Sequence, residues 1–316
     1  MPSHNLPNPA AAGVPALEVE GLTRRFGSRT AVHDLHLKVE PGDLYGFLGP
    51  NGAGKTTTMR CILGLIRRDA GRVRIFGEEN PVRQRTWVGA IVETPRFHDW
   101  MTGRANLELA CAYAGQGDAT DRTEALQRVG LADRADDRVR TYSHGMKQRL
   151  GIARALVGRP KLLLIDEPTN GLDPRGMREV RDLLRMLVKR DGLTVFISSH
   201  LLAEIELLCN RVGILDQGKL SAEGEVATLV RDLAGDELIE LAVDDPGRAR
   251  ALLQAVEGAE CVGDGAAGRL RVSLRGLAPA DLNARLVGEG LAVSAIVPQD
   301  RRLEELYLAS TQQEVR

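Results

Sequence analysis

Strands that alternate with helices over roughly the first 225 residues predict an α/β domain built on a largely parallel sheet, followed by a smaller α+β domain. Three observations carry this expectation. The run GPNGAGKTT, Gly49–Thr57, lies between an apolar strand, YGFL, and a helical segment, TTTMRCILGL. A second continuous apolar strand, KLLLIDEP, ends in two carboxylates, and a third, LTVFISSH, ends in a histidine. In open α/β sheets ligands bind beyond the carboxyl ends of the strands, and each of these polar endings falls there.

Residues 1–16, MPSHNLPNPAAAGVPA, are dominated by proline and alanine and are expected to form a disordered tail. They lack the basic start and apolar core of a signal peptide. Between Leu17 and Val39, LEVEGL and HLKVE alternate as short strands, with a turn at Gly27 and Ser28. RVRIFG reads as a further strand. Residues 104–135 read as helical, with apolar residues grouped in ANLELACAYA and TEALQRVGLA. Met177, Val180, Leu183, Leu184, Leu187 and Val188 give a helix one apolar face, and Gly192 stops it.

Near residues 224–237 the pattern changes. IELAV, a helix through ARALLQAV, RLRVSL, a helix through DLNARLV, and AVSAIV suggest a second domain over 237–312, distinct from a first domain over 17–230. Its last segment, RRLEELYLAST, reads as a docking helix. This domain carries no chemical motif and reads as a packing or dimer-regulating appendage.

The 316 residues are enough for one full-sized domain and a smaller one. Hydrophobic content of 43% and charge of 27% describe an ordinary globular protein. A net charge of −1 supplies no basic field to draw the whole molecule onto nucleic acid, and no nucleic-acid partner is expected. Cys61, Cys111, Cys209 and Cys261 stand apart with no C-x-x-C pair, a pattern that suits a reducing cytoplasm and offers no metal site. No stretch approaches the ~18 apolar residues of a membrane helix. Service at a membrane would therefore borrow its span from another chain.

GPNGAGKTT fits the phosphate-binding pattern G-x-x-x-x-G-K-[ST]. Its glycines let backbone N–H groups turn onto phosphate oxygens, Lys55 adds a point charge for the β- and γ-phosphates, and the Thr56 hydroxyl ligates Mg²⁺. The loop delivers a triphosphate to a helix N-terminus, where free N–H groups and the macrodipole favour anions. After KLLLI, Asp166 is placed to hold the Mg²⁺ shell and Glu167 to polarise the water that attacks the γ-phosphate. At an ordinary loop the pair would be solvated charge only. His200 is either a γ-phosphate sensor or a satisfied structural histidine. In YSHGMKQRLGIARAL, Ser143 and Gly145 open another helix, either as an ordinary serine N-cap or as a second anion-binding start. Two such starts in one domain are redundant unless one serves a partner's nucleotide.

Taken together, these residues resemble the ATP-binding cassette (ABC) ATPases over roughly residues 17–225. Walker A is GPNGAGKTT, Walker B is LLLIDE, the signature is YSHGM, the D-loop is NGLD with Asp173, and the switch histidine is His200. The resemblance implies a RecA-like core sheet, an antiparallel β subdomain and a helical subdomain. It implies that Gly49, Pro50, Asn51, Gly52, Ala53, Gly54, Lys55, Thr56 and Thr57 bind ATP, together with Ser143, Gly145 and Met146 of a second copy packed head to tail. Catalysis would then rest on Glu167, His200 and Lys55. Phe26 lies where the family stacks an aromatic on adenine, although a small core aromatic is the other reading.

Two positions depart from the family pattern. The signature, typically LSGGQ, has His144 in place of glycine, which adds bulk near the partner's phosphates and a charge sensitive to pH. In the Q-loop Glu93 stands where glutamine usually contacts Mg²⁺ and the membrane partner; a carboxylate still suits magnesium, which would then have Thr56, Asp166 and Glu93 as ligands. The runs IVETPRF and MTGRANL, and the tail LEELYLAST, resemble the bacitracin-resistance and antibiotic-efflux branch. That resemblance implies an ATPase dimer at the cytoplasmic face of the membrane, powering a separately encoded polytopic permease. Two alternatives stand beside it. One is a soluble ABC ATPase acting on ribosomes or DNA, against which count the single cassette and the lack of a long coiled-coil insertion. The other is a weakly active regulatory cassette in a heterodimer.

Overall fold

The computed structural model, which describes residues 13–115, 117–229, 237–265 and 268–298, folds the alternating segments near the start into β1 (Leu17–Phe26) and β2 (Arg29–Val39), an antiparallel pair. β3 (Leu44–Leu48), α1 (Lys55–Ile62) and β4 (Ala70–Ile75) follow, and β4 pairs with the other side of β1 to complete a three-stranded antiparallel sheet. Next come α2 (Pro81–Gln84), β5 (Val88–Ile91), α3 (Gly103–Ala114), α4 (Ala119–Arg128), α5 (His144–Leu156), β6 (Leu162–Asp166) and α6 (Pro174–Asp191). β7 (Thr194–Ser199), α7 (Leu202–Leu208), β8 (Arg211–Asp216) and β9 (Lys219–Glu225) end this part of the chain.

The second sheet has the order β5-β6-β7-β3-β8-β9, parallel through its first five strands and closed by antiparallel β9. Strands β3, β6 and β7 are buried at every position, as continuous apolar runs between covered faces must be. α1 contributes Met59, Cys61 and Ile62 to a core shared with Leu17, Val19 and Leu35 of the antiparallel sheet and Phe47, Leu164 and Phe196 of the parallel one. Phe196 stacks against Tyr45 at 5.4 Å.

The helical stretch expected over 104–135, with its two apolar groups, forms α3 and α4, and helix ends at Arg128, short of 135 apart from a 3-10 turn at Ala132–Arg134. Gly115, in the left-handed region at φ 64, caps α3, and a reciprocal box between Asp118 and Asp121 opens α4. Strands β8 and β9 had no counterpart in the sequence reading. The helix on Met177–Val188 extends as α6 and stops at Gly192 in the left-handed region.

The chain divides into two compact units, Met1–Val226 and Ala227–Arg316. In the second unit β10 (Glu237–Val243), a helix Pro246–Leu253, β11 (Ala259–Asp264), β12 (Leu270–Leu274), a helix Pro279–Gly288 and β13 (Val293–Pro298) form an antiparallel sheet of order β11-β12-β10-β13. This is the split β-α-β arrangement repeated as β-α-β-β-α-β. Ile239, Leu241, Val272, Leu253, Leu282 and Leu286 form its core. Residues 1–12 of the expected tail, the boundary segment 230–236 and the expected docking helix at 301–311 lie outside the described residues.

Candidate active site

Strand order brings the predicted residues to one sheet edge. β7 lies between β3 and β6, with Asp166 level with Ser198 and Leu48 level with Ser199. The P-loop after β3, Glu167 after β6 and His200 after β7 therefore leave the sheet side by side.

The loop turns through positions that only glycine fits. A Cβ on Gly49 would stand 2.4 Å from the Leu215 carbonyl oxygen of β8. Gly54, at φ 109, caps α1, and a Cβ there would meet the Ala31 oxygen at 2.4 Å. The glycines thus do more than permit the turn, since they let β2 and β8 approach the loop backbone. Lys55, 6% exposed, is the first residue of α1, and its Nζ donates to the carbonyls of Gly49 at 2.6 Å and Pro50 at 3.2 Å. The same ammonium lies 3.4 Å from Glu167 Oε1.

Thr56 Oγ1 donates to Asp166 Oδ2 at 2.8 Å, and the other carboxylate oxygen accepts from Ser198 Oγ. Ser198 is a site residue that sequence reasoning missed. Its hydroxyl oxygen also accepts from the Glu167 backbone N–H at 3.1 Å, so one side chain positions both acids. Glu167 sits at φ 50, a left-handed conformation that costs a non-glycine residue about 1–3 kcal/mol and clusters at functional sites. Its Oε2 lies 2.8 Å from His200 Nδ1; with that nitrogen assigned as protonated, the imidazole donates to the carboxylate. Lys55, Glu167 and His200 form one contiguous chain of contacts.

Phe26, Arg29, Asn51, Lys55, Thr57 and Glu167 are among the residues that line an open cleft of about 410 Å³. Phe26 is 48% exposed at the end of β1, and the Arg24 guanidinium carbon stands 4.4 Å from its ring centroid, which rules out burial as a small core aromatic. Pro50 and Ala53 do not line the cleft; they shape the loop, with Ala53 N–H donating to the Pro50 carbonyl at 3.2 Å and the Ala53 carbonyl accepting from Gly218.

The structure does not bring Glu93 to the Thr56–Asp166 pair. The residue turns through φ 76, its side chain is 65% exposed, and its carboxylate pairs with Arg60 of α1. A cationic partner within reach satisfies it, whereas Thr56 and Asp166 bond each other, with no contact to Glu93 among the described residues. Thr56 and Asp166 alone fit a magnesium ion: a hydroxyl and a carboxylate side by side beneath the phosphate loop match a cation that takes one or two protein oxygens and completes its shell with phosphates and water. Among the described residues no trio of His, Cys, Asp or Glu is arranged to hold a metal without a substrate.

Ser143 caps α5, with its Oγ accepting from Met146 N–H at 3.2 Å, and Gly145 lies in the first turn. None of Ser143, Gly145 and Met146 lines the cleft. Ser143 and His144 are exposed, and the His144 ring lies beside Gly171. Asp173 caps α6 by accepting from Gly176 N–H at 2.9 Å.

A larger groove of about 530 Å³ lies elsewhere, between α3, α5 and β5, with Arg85, Tyr113 and Arg154 on its walls and no acidic residue among the described residues that line it. Arg154 stands 5.1 Å from the Phe97 ring centroid and donates to the Arg96 carbonyl, and burial holds its pKa below the ordinary arginine value. Tyr113 is 85% exposed.

Residues 32–170 match the family described as ABC transporter. The chain is 38% identical over 301 residues to the ABC transporter ATP-binding protein YdbJ of Bacillus subtilis (strain 168), covering 94% of this chain and 96% of that protein. The chain belongs to the ABC transporter ATP-binding proteins. Within this family it is also 47% identical over 210 residues to the bacitracin transport ATP-binding protein BcrA of Bacillus licheniformis, covering 66% of this chain and 69% of the relative. The fold of an ABC cassette recurs in cbiO1 from Clostridium perfringens, part of the complex cbiONQ, with a TM-score of 0.62 at 24% identity over 70% of this chain and 95% of that one. As an ABC ATPase cassette it binds and hydrolyses ATP. Among the described residues no helix is long and apolar enough to cross a membrane.

Proposed function

We propose that this protein is the ATP-hydrolysing subunit of an exporter, working as a head-to-tail dimer that drives a separate membrane permease from the cytoplasmic face. One observation carries the dimer: among the described helices, α1 at Lys55 and α5 after Ser143 both open with N-termini suited to phosphate, and of this pair the first borders the cleft while the second does not. Ser143 is exposed and Gly145 half-buried on the same chain, at a helix start free to close over a second copy's cleft.

In this reading Lys55 and the P-loop N–H groups bind the triphosphate from one side, and Ser143, Gly145 and Met146 of the second copy bind it from the other through charge-assisted hydrogen bonds. Phe26 supplies the face for the base. Thr56 and Asp166 would hold Mg²⁺, which when bound supplies charge neutralisation at the β- and γ-phosphates. Glu167 orients and deprotonates the attacking water, while His200 holds Glu167 and faces the γ-phosphate. Loss of that phosphate removes the contacts that join the copies, and they part. Export of an antibiotic, drug or peptide is supported by the likeness to a bacitracin transport protein.

The concentration dependence of ATPase activity tests the dimer. Quadratic dependence at low protein concentration is expected; a specific activity constant under dilution below the dimer's dissociation range would overturn it. The arginine-lined groove beside α3 supports a permease docked there, since its positive charge suits an acidic segment of a membrane partner. Arg154→Glu is expected to lower co-purification with the permease on the order of tenfold by setting like charges together. Undiminished recovery of the pair would move the docking surface elsewhere.

A further inference from the structure

A buried carboxylate that the hydrolysis scheme does not use lies behind the site. Glu204, in the first turn of α7, is 6% exposed, and its neighbours Leu202, Ile205 and Leu208 on the same short helix are buried and apolar. Its Oε2 accepts a close hydrogen bond from the hydroxyl of Thr169, itself 3% exposed. Its Oε1 is buried, and among the described residues it has no hydrogen-bond partner. The charge is near enough to Cys209 to add to burial in raising that thiol's pKa. A carboxylate with capacity for about four hydrogen bonds and only one partner is a poor choice for stability alone. A leucine would suit the surroundings better.

Its connections are informative. Thr169 follows Glu167 by two residues, and Glu204 follows His200 by four. The segment after β6 and the segment after β7 are therefore joined by two rungs: Glu167 to His200 at the cleft, and Thr169 to Glu204 behind it. Between them, Glu167 N–H is held by the Ser198 carbonyl at 3.2 Å. The rear rung acts on a backbone already strained at Glu167, where small rotations swing the carboxylate away from the imidazole.

We propose that Glu204, through Thr169, is a positioning residue that fixes Glu167 against His200 and so sets the rate of ATP hydrolysis without setting ATP affinity. The inference rests on the proposed roles of Glu167 and His200.

The test uses the full chain and steady-state hydrolysis of MgATP, with nucleotide affinity and thermal melting measured alongside. Glu204→Leu is expected to melt no lower than wild type, because it removes a poorly paired buried charge, yet to lose about tenfold in kcat with KM changed less than about twofold. Thr169→Val, which deletes only the hydroxyl, is expected to lose a similar factor, Thr169→Ser to recover most of it, and the double variant Thr169→Val with Glu204→Leu to be no slower than either alone. Wild-type kcat in Glu204→Leu or Thr169→Val would overturn the proposal, as would losses that multiply in the double variant or that fall on KM. If Glu204→Leu fails to fold, the Thr169 pair decides by the same criteria. Glu167→Gln run in parallel separates the two levels: normal turnover there removes the catalytic reading itself, whereas slow turnover there with normal turnover in Thr169→Val removes only the rear rung.

Discussion

Glu167→Gln is expected to lower ATP turnover on the order of 10²–10⁴-fold while ATP-bound dimers accumulate. The substitution preserves shape and leaves an oxygen to accept from His200 Nδ1, which now lies 2.8 Å from Glu167 Oε2. It removes the negative charge that stands 3.4 Å from the Lys55 ammonium and with it the one acid that lines the cleft among the described residues. An amide cannot take the proton of an attacking water, so the loss falls on the chemical step. Binding persists or tightens, because Lys55, the P-loop and Thr56 are untouched. Size-exclusion chromatography with and without ATP, run beside an ATPase assay, reads both effects. Near-wild-type hydrolysis would remove Glu167 from its assigned role.

The legible part of this site was the part written as contiguous motifs at strand ends. GPNGAGKTT, the acids of LLLIDE and the histidine of SSH each follow a buried apolar strand directly, so the chemistry and its position in the sheet are read together. Ser198 was not legible in that way. Its contact with Asp166 exists because β7 is the neighbour of β6 and runs in register with it, and strand order is a long-range property that no local pattern states. The same holds for Glu93, whose pairing with Arg60 spans 33 positions in sequence and is not stated by any local pattern. Over 104–135 the two apolar groups do form helices, and the boundary between them was marked locally, by Gly115 as a stop and the Asp118–Asp121 box as a start. β9, KLSAEGE, is polar because it is an edge strand, and polarity hides such strands from a search for apolar alternation.

Mixing two inactive variants is expected to restore activity, and this result separates a shared site from a self-contained one. Lys55→Ala removes the ammonium held over the loop by Gly49 and Pro50. Gly145→Asp places a carboxylate in the first turn of α5, where the proposed second copy's phosphates would lie. A Cβ at Gly145 meets Gly176 Cα only at 3.7 Å, ordinary contact, so the chain should accommodate it. Alone, each variant spoils both sites of its dimer and is expected to lose on the order of 10²-fold or more in turnover. In a mixed dimer one site carries both lesions and the other carries neither, because the intact P-loop of the Gly145→Asp copy meets the intact signature of the Lys55→Ala copy. A 1:1 mixture then holds intact sites at about a quarter of the wild-type number, and ATPase activity should approach that fraction if each site works by itself. If Ser143 and Gly145 instead served the cleft of their own chain, every site in the mixture would carry one lesion and activity would stay at the level of the separate variants. Recovery on mixing is thus the signature of two copies completing each other's sites, and its absence in dimers shown to exchange subunits would end that reading.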